Sequence, residues 1–233
     1  MLALQTALKL DVEKRSEDEQ EIEQADHFVQ LITPILKAYF TDMGHEVANL
    51  GMQIYGGHGY IREYGMEQYA RDARIAQIYE GANGIQALDL VGRKLPKDTG
   101  KYLRSFFHPA TEFVAEHREN SDMAEFTKGL HTALKNAQQA SLWVAANGMG
   151  DPNEAAAASV DYLKLMAIAV MAYMWAQMAL AAQKGIKENS SDSEFYEAKL
   201  DTARFFMKKV VPTQYGLLAT IVEGAKPVMA ARL

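Results

Sequence analysis

Apolar residues recur along most of the chain at steps of three and four, the spacing that places side chains on one face of an α-helix. The clearest such run comprises Ile35, Tyr39, Met43, Val47, Leu50 and Ile54. No segment alternates apolar and polar residues between turn signals, as a half-buried strand would. The pattern therefore predicts an all-α fold with no sheet.

The first part of the chain is predicted to form helices separated by charged and glycine-rich breaks. We predict helices over about residues 2–11, 22–32, 34–54, 66–78 and 85–95. The charged run Lys14–Glu19 separates the first helix from the second. Thr33-Pro34 predicts an N-cap followed by proline at the first helical position, where the missing N–H costs nothing. A glycine-rich break at residues 55–60 predicts a tight turn or a close backbone approach, and a second break follows at residues 80–84.

Composition changes after Pro96, and four long helices are predicted from there to the end of the chain. They cover about residues 100–120, 122–147, 151–184 and 192–222. Asp151-Pro152 is typical of a helix start. Because the connections are only a few residues long, neighbouring helices are expected to be antiparallel. We therefore predict a helical domain over residues 1–95 and an antiparallel four-helix tail bundle over residues 96–233.

Residues 160–180 form the most apolar stretch of the chain, and its length requires a comparison with a membrane span. Asp161, Lys164 and Gln177 lie inside it or at its edge, and alanine and methionine dominate over leucine and isoleucine. These features favour a buried helix of the tail bundle. We therefore expect no membrane span.

The charge balance and the lack of cysteine exclude several classes of function. The 233 residues include 30 acidic and 24 basic side chains, which leaves a net charge of −6 at pH 7 with histidine neutral. A negative chain is a poor polyanion binder, so we expect no nucleic acid partner. Without cysteine there is no disulfide, thiolate zinc site or thiol nucleophile. The six histidines show no paired metal-ligand spacing, so no metal is expected.

The amino terminus has neither the cationic start nor the long apolar core of a signal peptide. Acidic residues also crowd positions 13–21, a region that a mitochondrial transit peptide would keep poor in acids. We therefore expect an intracellular, cytoplasmic protein.

Glu80 is the strongest candidate for chemistry among the residues considered one by one. It lies between the apolar helical run that ends at Tyr79 and the glycine-rich residues 81–84 that lead into the next helix. A carboxylate at such a junction can project into a cleft, and an apolar cleft suits it to act as a general base. It can also stabilise the N-terminus of the following helix through the helix dipole. The residues alone leave both interpretations open.

Two separated motifs closely resemble the carboxy-terminal signature of acyl-CoA dehydrogenases, with the interval between them that this family shows. The first motif covers residues 53–60 (QIYGGHGY), and the second covers residues 71–81 (RDARIAQIYEG). The continuation over residues 83–94 (NGIQALDLVGRK) is similar to the large subgroup with an extra helical tail, which includes the methylmercaptopropionyl-CoA dehydrogenases. The resemblance is strong over residues 31–94 and looser beyond.

The resemblance implies a role for each residue of these motifs. Glu80 is then the base that removes the α-proton of an acyl-CoA thioester, while the β-hydrogen leaves as hydride to the flavin of FAD and trans-2-enoyl-CoA forms. The backbone N–H of Glu80 would polarise the thioester carbonyl. By the same resemblance, the residues that line the substrate cleft are Tyr79 and Gly81, and those that contact FAD are Gln53, Gly57, Ala82 and Gly84. Gln53 and Gly57 meet the ADP half of FAD from a neighbouring subunit in the family.

The chain departs from the family in two ways. The position after Gly81 is commonly threonine in the family, with a hydroxyl near the flavin, whereas Ala82 stands here. The family also has an amino-terminal helical domain and a middle β-domain, and this chain is expected to begin inside the carboxy-terminal helical domain that follows them. We therefore expect it to bind FAD weakly or not at all by itself, and to be inactive alone.

The resemblance also implies partners. They are an acyl-CoA substrate of fatty-acid β-oxidation, an electron-transfer flavoprotein as acceptor, and further copies of the chain in a homo-oligomer. Two other functions stay open. One is a non-catalytic helical module for oligomerisation or interaction, and the other is part of an acyl-CoA oxidase, which shares the base and differs in oxygen access.

Overall fold

The computed structural model describes residues 1–188 and 191–231, and every regular element in these two stretches is helical. The all-α prediction is therefore confirmed. The α-helices are α1 Leu2–Arg15, α2 Glu19–Ile54, α3 Gly57–Tyr60, α4 Met66–Ala76, α5 Asn83–Asp89, α6 Lys101–Glu116, α7 Ala124–Gly148, α8 Pro152–Lys187, α9 Ser193–Phe205, α10 Gln214–Val222 and α11 Lys226–Met229. Two π-helical turns, Leu90–Lys94 and Phe206–Val210, extend α5 and α9.

Helix α2 continues through the point where a new helix was predicted to begin. Pro34 lies inside α2, and Thr33 does not cap a helix there. The Thr33 hydroxyl instead donates to the Val29 carbonyl at 2.7 Å. Ile32 and Ile35 are fully buried on either side of the proline, so packing of the core holds the helix together despite the hydrogen bond that proline cannot donate. The predicted helix start at Thr33-Pro34 is wrong.

Two other helices begin at a side-chain cap, and of these only the start at Asp151-Pro152 was predicted. Asp18 lies in the charged break and caps α2, because its carboxylate accepts from the backbone N–H of Gln20 at 2.8 Å and of Glu21 at 3.3 Å. Asp151 caps α8 by accepting from the backbone N–H of Asn153 at 2.9 Å.

One hydrophobic core extends along the chain from Leu2 to Ile221, and α8 is its central element. Seventeen buried residues of α8 lie between helices of both the first and the last part of the chain. By length and composition α8 could cross a membrane, but 67% of its most apolar window is buried inside the protein. Helix α8 is therefore packed as a core helix. The division at residues 95 and 96 stays a prediction.

The last predicted helix, residues 192–222, is broken in the structure. Helix α9 passes into a π-helical turn, and Pro212 then lies in a short 3₁₀ turn, Val211–Thr213, before α10 begins. Proline cannot donate to the carbonyl four residues before it, which disrupts a continuous helix here. The break places the fully buried side chain of Gln214 so that its amide donates to the Leu165 carbonyl of α8 at 2.9 Å.

Candidate functional site

The connection between α4 and α5 places Glu80 on a left-handed backbone. The φ angle is +54° at Glu80 and +81° at Gly81. Glycine adopts this conformation freely, whereas other L-residues lose about 1–2 kcal/mol. A non-glycine residue held in this region is maintained by its surroundings, and such positions concentrate at functional sites.

A polar clamp from α2 holds this connection in place. The Lys37 ammonium donates to the Gly81 carbonyl at 2.7 Å and to the Asn83 side-chain oxygen at 2.8 Å. The Asn83 amide donates to the Asp42 carboxylate at 2.7 Å, and the Gln77 amide donates to the same carboxylate at 2.6 Å. The backbone N–H of Asn83 closes the loop onto the Gln77 carbonyl at 3.1 Å. The junction around Glu80 is therefore tied to one rigid helix.

The Glu80 side chain is exposed, so the described residues of this chain do not enclose it in the cleft that its position predicts. Many large apolar side chains in this part of the chain are exposed. Its large apolar side chains with more than two fifths of their surface exposed are Val47, Leu50, Ile54, Tyr55, Tyr60, Ile61, Tyr64, Tyr69, Ile75, Ile78, Tyr79, Ile85 and Leu88. We call this set the exposed apolar face. Where exposed apolar side chains form a contiguous patch, they mark an interaction surface.

The predicted site residues fall into two groups in space. Glu80 lies in one short segment with Tyr79, Gly81, Ala82 and Gly84. Gln53 and Gly57 instead lie at the far end of α2 and just beyond it. At a helical rise of 1.5 Å per residue, Gln53 is roughly 24 Å along α2 from Lys37, which holds the Glu80 junction. The structure therefore does not bring the two groups together within this chain.

The glycines of the first glycine-rich break differ in whether the fold requires a glycine at their position. Gly56 has a φ of +60°. Gly59 is buried, and a Cβ there would come within 2.2 Å of the Met52 carbonyl oxygen. The segment predicted to be a tight turn or a close backbone approach thus contains a positive-φ glycine and a close approach, although Gly57–Tyr60 form the short helix α3. Gly57 meets neither requirement, because its φ is not positive and nothing lies within 4 Å of a Cβ built on it. The fold alone does not explain a glycine at position 57.

A cavity of about 270 Å³ lies behind the Glu80 junction. Gly84 lines it together with Tyr39, Asp42, Asn83 and Lys164, among others. Burial raises the pKa of Tyr39, and the nearby Glu46 carboxylate raises it further. Tyr39 is therefore a neutral hydroxyl at the back of the junction.

Sequence reasoning did not identify Lys37, Asp42 or Asn83 as site residues. Asn83 lies within the glycine-rich break, where a residue with a short amide side chain is typical of a turn. Lys37 is separated from Gly81 by 44 positions, and nothing in its local pattern distinguishes it from a surface lysine. Only the packing of α5 against α2 reveals its contact.

We expect Lys37→Met to loosen the Glu80 junction without unfolding the protein. Methionine keeps a long apolar side chain but donates no hydrogen bond to Gly81 or Asn83. Hydrogen bonds of a charged donor contribute about 1.5–3 kcal/mol, and for this partly exposed one we expect about 1 kcal/mol. Amide hydrogen exchange at Asn83 and Ile85 should accelerate about fivefold.

Lys135→Met, at an exposed position of α7, is the matched control and should leave exchange at Asn83 and Ile85 unchanged. Unchanged exchange at these two amides in Lys37→Met would show that the clamp does not hold the junction.

Comparisons with known proteins agree with the two motifs. Residues 1–95 match the family described as acyl-CoA dehydrogenase, C-terminal domain, and residues 106–232 match the family described as acetyl-CoA dehydrogenase C-terminal like. The 3-methylmercaptopropionyl-CoA dehydrogenase of Ruegeria pomeroyi is 36% identical over 220 residues, which cover 90% of this chain and 36% of that protein. A butyryl-CoA dehydrogenase of Syntrophomonas wolfei is 29% identical over 219 residues, which cover 89% of this chain and 34% of that protein.

A solved structure shows the same helical arrangement. The crystal structure of Caenorhabditis elegans ACDH-11 in complex with C11-CoA superposes with a TM-score of 0.64 at 17% identity, over 88% of this chain and 32% of that one. The chain thus spans about a third of the length of the relatives it matches. Because the two matched families cover almost all of its length, the chain belongs to the acyl-CoA dehydrogenases and corresponds to their C-terminal helical part.

Proposed function

We propose that this chain is the C-terminal part of an FAD-dependent acyl-CoA dehydrogenase, which converts an acyl-CoA thioester to the trans-2-enoyl-CoA, and that Glu80 is its base. The observation that carries the proposal is the conformation of Glu80. A glutamate occupies a left-handed position that favours glycine, and a polar clamp from α2 holds it there. This arrangement supports the role that the Tyr-Glu-Gly motif implies.

The first task of Glu80 is to accept a proton. Its carboxylate takes the α-proton of the thioester, and the bonding electrons pass into the developing enolate. A thioester α-proton is very weakly acidic, so the carboxylate must be positioned closely and shielded from water. The exposed side chains of Ile78, Tyr79 and Ile85 beside Glu80 would supply part of such a site, and the remainder of the full-length protein would supply the rest.

The second task falls to the backbone of Glu80. Among the residues that the structure describes, its N–H donates no hydrogen bond. A free donor at this point can bind the thioester carbonyl oxygen and stabilise the negative charge that develops there. The left-handed turn thus leaves both the carboxylate and the N–H of one residue available to the same substrate.

The residues present fit FAD. Gly57, the exposed first residue of α3, has no atom within 4 Å of a Cβ built on it, which would let a cofactor approach closely, and Gln53 adds an exposed amide nearby. Ala82 and Gly84 would lie beside the flavin, although Ala82 lacks the hydroxyl that the family commonly has there. FAD, when bound, supplies the acceptor for the hydride that leaves the β-carbon.

The exposed apolar face also supports an interaction function. Its area would be covered by the other domains of the same polypeptide, by further copies in a homo-oligomer, or by both. This function is compatible with catalysis. An electron-transfer flavoprotein is the acceptor that we propose for the assembled enzyme.

The proposed function is tested in a chimeric protein in which this chain replaces the corresponding C-terminal third of the Ruegeria pomeroyi 3-methylmercaptopropionyl-CoA dehydrogenase. We expect the chimera to retain FAD through purification and to reduce an artificial electron acceptor when acyl-CoA is added. This chain alone, measured in parallel, should retain little FAD. A chimera that binds FAD but shows no acyl-CoA-dependent reduction would contradict the proposal.

A further inference from the structure

The side chain of Gln86 lies against the turn that contains Glu80, and it belongs neither to the proposed reaction nor to the clamp from α2. Gln86 is a half-buried residue of α5. Its amide nitrogen lies 3.4 Å from the Glu80 carbonyl oxygen and 3.4 Å from the Gly81 carbonyl oxygen. Because a carbonyl oxygen can only accept, the NH₂ group of the amide faces the turn. One side chain thus donates to two successive backbone carbonyls.

The contact with Gln86 gives a second reason for a glycine at position 81. The first reason is the φ angle of +81°. In addition, a Cβ built on Gly81 would lie only 2.8 Å from the Gln86 side-chain nitrogen. Any larger residue at position 81 would therefore displace the Gln86 amide from the turn. The glycine both permits the left-handed backbone and lets the amide approach it.

Gln86 restrains the peptide plane between Glu80 and Gly81. A peptide unit is planar, so its carbonyl and its N–H rotate together and point in opposite directions. With the Glu80 carbonyl directed at Gln86, the Gly81 N–H points away from it. No other group among the residues that the structure describes donates to the Glu80 carbonyl. Loss of the Gln86 amide therefore removes the hydrogen bond that fixes the rotation of this plane.

Rotation of this plane changes the residue that carries the proposed chemistry. The rotation alters ψ at Glu80 and φ at Gly81 together, and Glu80 already has a φ of +54° that most residues avoid. At 3.4 Å each, the two bonds are long, so their effect falls on orientation more than on the stability of the fold. Orientation matters here, because a misplacement of about 1 Å can lower a rate about 100-fold.

This inference rests on the proposed role of Glu80. We propose that Gln86 is a positioning residue for removal of the α-proton. Its amide holds the Glu80–Gly81 peptide plane, so that the carboxylate and the backbone N–H of Glu80 reach the same substrate. Gln86 acts through Glu80 and itself touches neither the α-proton nor the thioester.

The test compares Gln86→Met with the unmodified protein in the chimera described above. Methionine keeps the length of the side chain but donates no hydrogen bond. We expect kcat for acyl-CoA-dependent reduction of the acceptor to fall about tenfold, while KM and the FAD content stay within about twofold. Gln86→Glu has nearly the same shape and also lacks the donor when ionised, so its kcat should fall at least as far. Gln139→Met, at an exposed position of α7, is the matched control and should leave kcat unchanged.

A double variant distinguishes positioning of Glu80 from a general structural role. If Gln86 acts through Glu80, Gln86→Met should cause less than about a twofold further loss once Glu80→Gln has removed the base. A further tenfold loss in the Glu80→Gln background would show that Gln86 acts independently of Glu80 and would overturn the proposal. A loss of FAD in Gln86→Met that parallels the loss of activity would also overturn it.

Failure of this inference can be told apart from failure of the proposed function. An active unmodified chimera together with equally active Gln86→Met and Gln86→Glu variants would overturn the role of Gln86 alone. An unmodified chimera that binds FAD but shows no acyl-CoA-dependent reduction would overturn the proposed function and the role of Gln86 with it.

Discussion

Replacing Glu80 by glutamine in the chimera is expected to lower acyl-CoA-dependent reduction of the acceptor by about 10²–10⁴-fold, the range that a general base contributes. Glutamine has nearly the same shape and leaves the backbone N–H in place, but it cannot accept the α-proton. The clamp from Lys37 and Asn83 reaches the backbone and side chains around position 80 rather than its carboxylate. The loss should therefore come from the chemical step, with the FAD content unchanged.

Glu119→Gln is the matched control, because this carboxylate is 96% exposed in the connection after α6. The activity of this variant should lie within about twofold of the activity of the unmodified chimera, as for most substitutions at exposed positions. If Glu80→Gln retained comparable activity, another residue would have to be the base.

Leu90→Ala is expected to destabilise the whole chain by about 2–5 kcal/mol, as for other fully buried leucines. Leu90 lies in the π-helical turn after α5, which packs against α8. The chain has two tryptophans, Trp143 in α7 and Trp175 in α8, so tryptophan fluorescence reports on the tail. Because the core is continuous, the fluorescence transition in urea should shift to lower denaturant although Leu90 belongs to the first part of the chain.

Leu88→Ala, two positions away and 44% exposed, should lower the free energy of unfolding obtained from the same transition by less than about 1 kcal/mol. An unchanged tryptophan transition in Leu90→Ala, with helicity lost in a separate earlier step, would mean that residues 1–95 and 96–233 fold as independent domains.

Local patterns were sufficient to predict the helical class and most of the helices. The steps of three and four, together with signals such as Asp151-Pro152, predicted where α8 begins. They failed where tertiary packing overrides a local signal. Thr33-Pro34 has the chemistry of a helix start, but the buried isoleucines on either side keep α2 continuous. Pro212 indicates a break in the helix, and the prediction of one continuous helix over residues 192–222 did not take it into account.

The sequence predicted less of the candidate site than of the fold. The motifs identified the segment that contains Glu80, because its residues are contiguous in the chain. The left-handed conformation of Glu80 and its clamp could not be predicted, since Lys37 and Gly81 are brought together only by the folded arrangement of α2 and α5. The described residues do not form the expected apolar cleft, since the Glu80 side chain is exposed.

The most direct test of the central claim measures proton removal itself. The chimera is incubated anaerobically with acyl-CoA in deuterium oxide without an electron acceptor, and exchange of the α-hydrogen is followed by mass spectrometry. A carboxylate at position 80 that abstracts and returns this proton predicts exchange in the unmodified chimera and exchange at least about a hundredfold slower in Glu80→Gln. Equal exchange in the two proteins would contradict the assignment of Glu80 as the base.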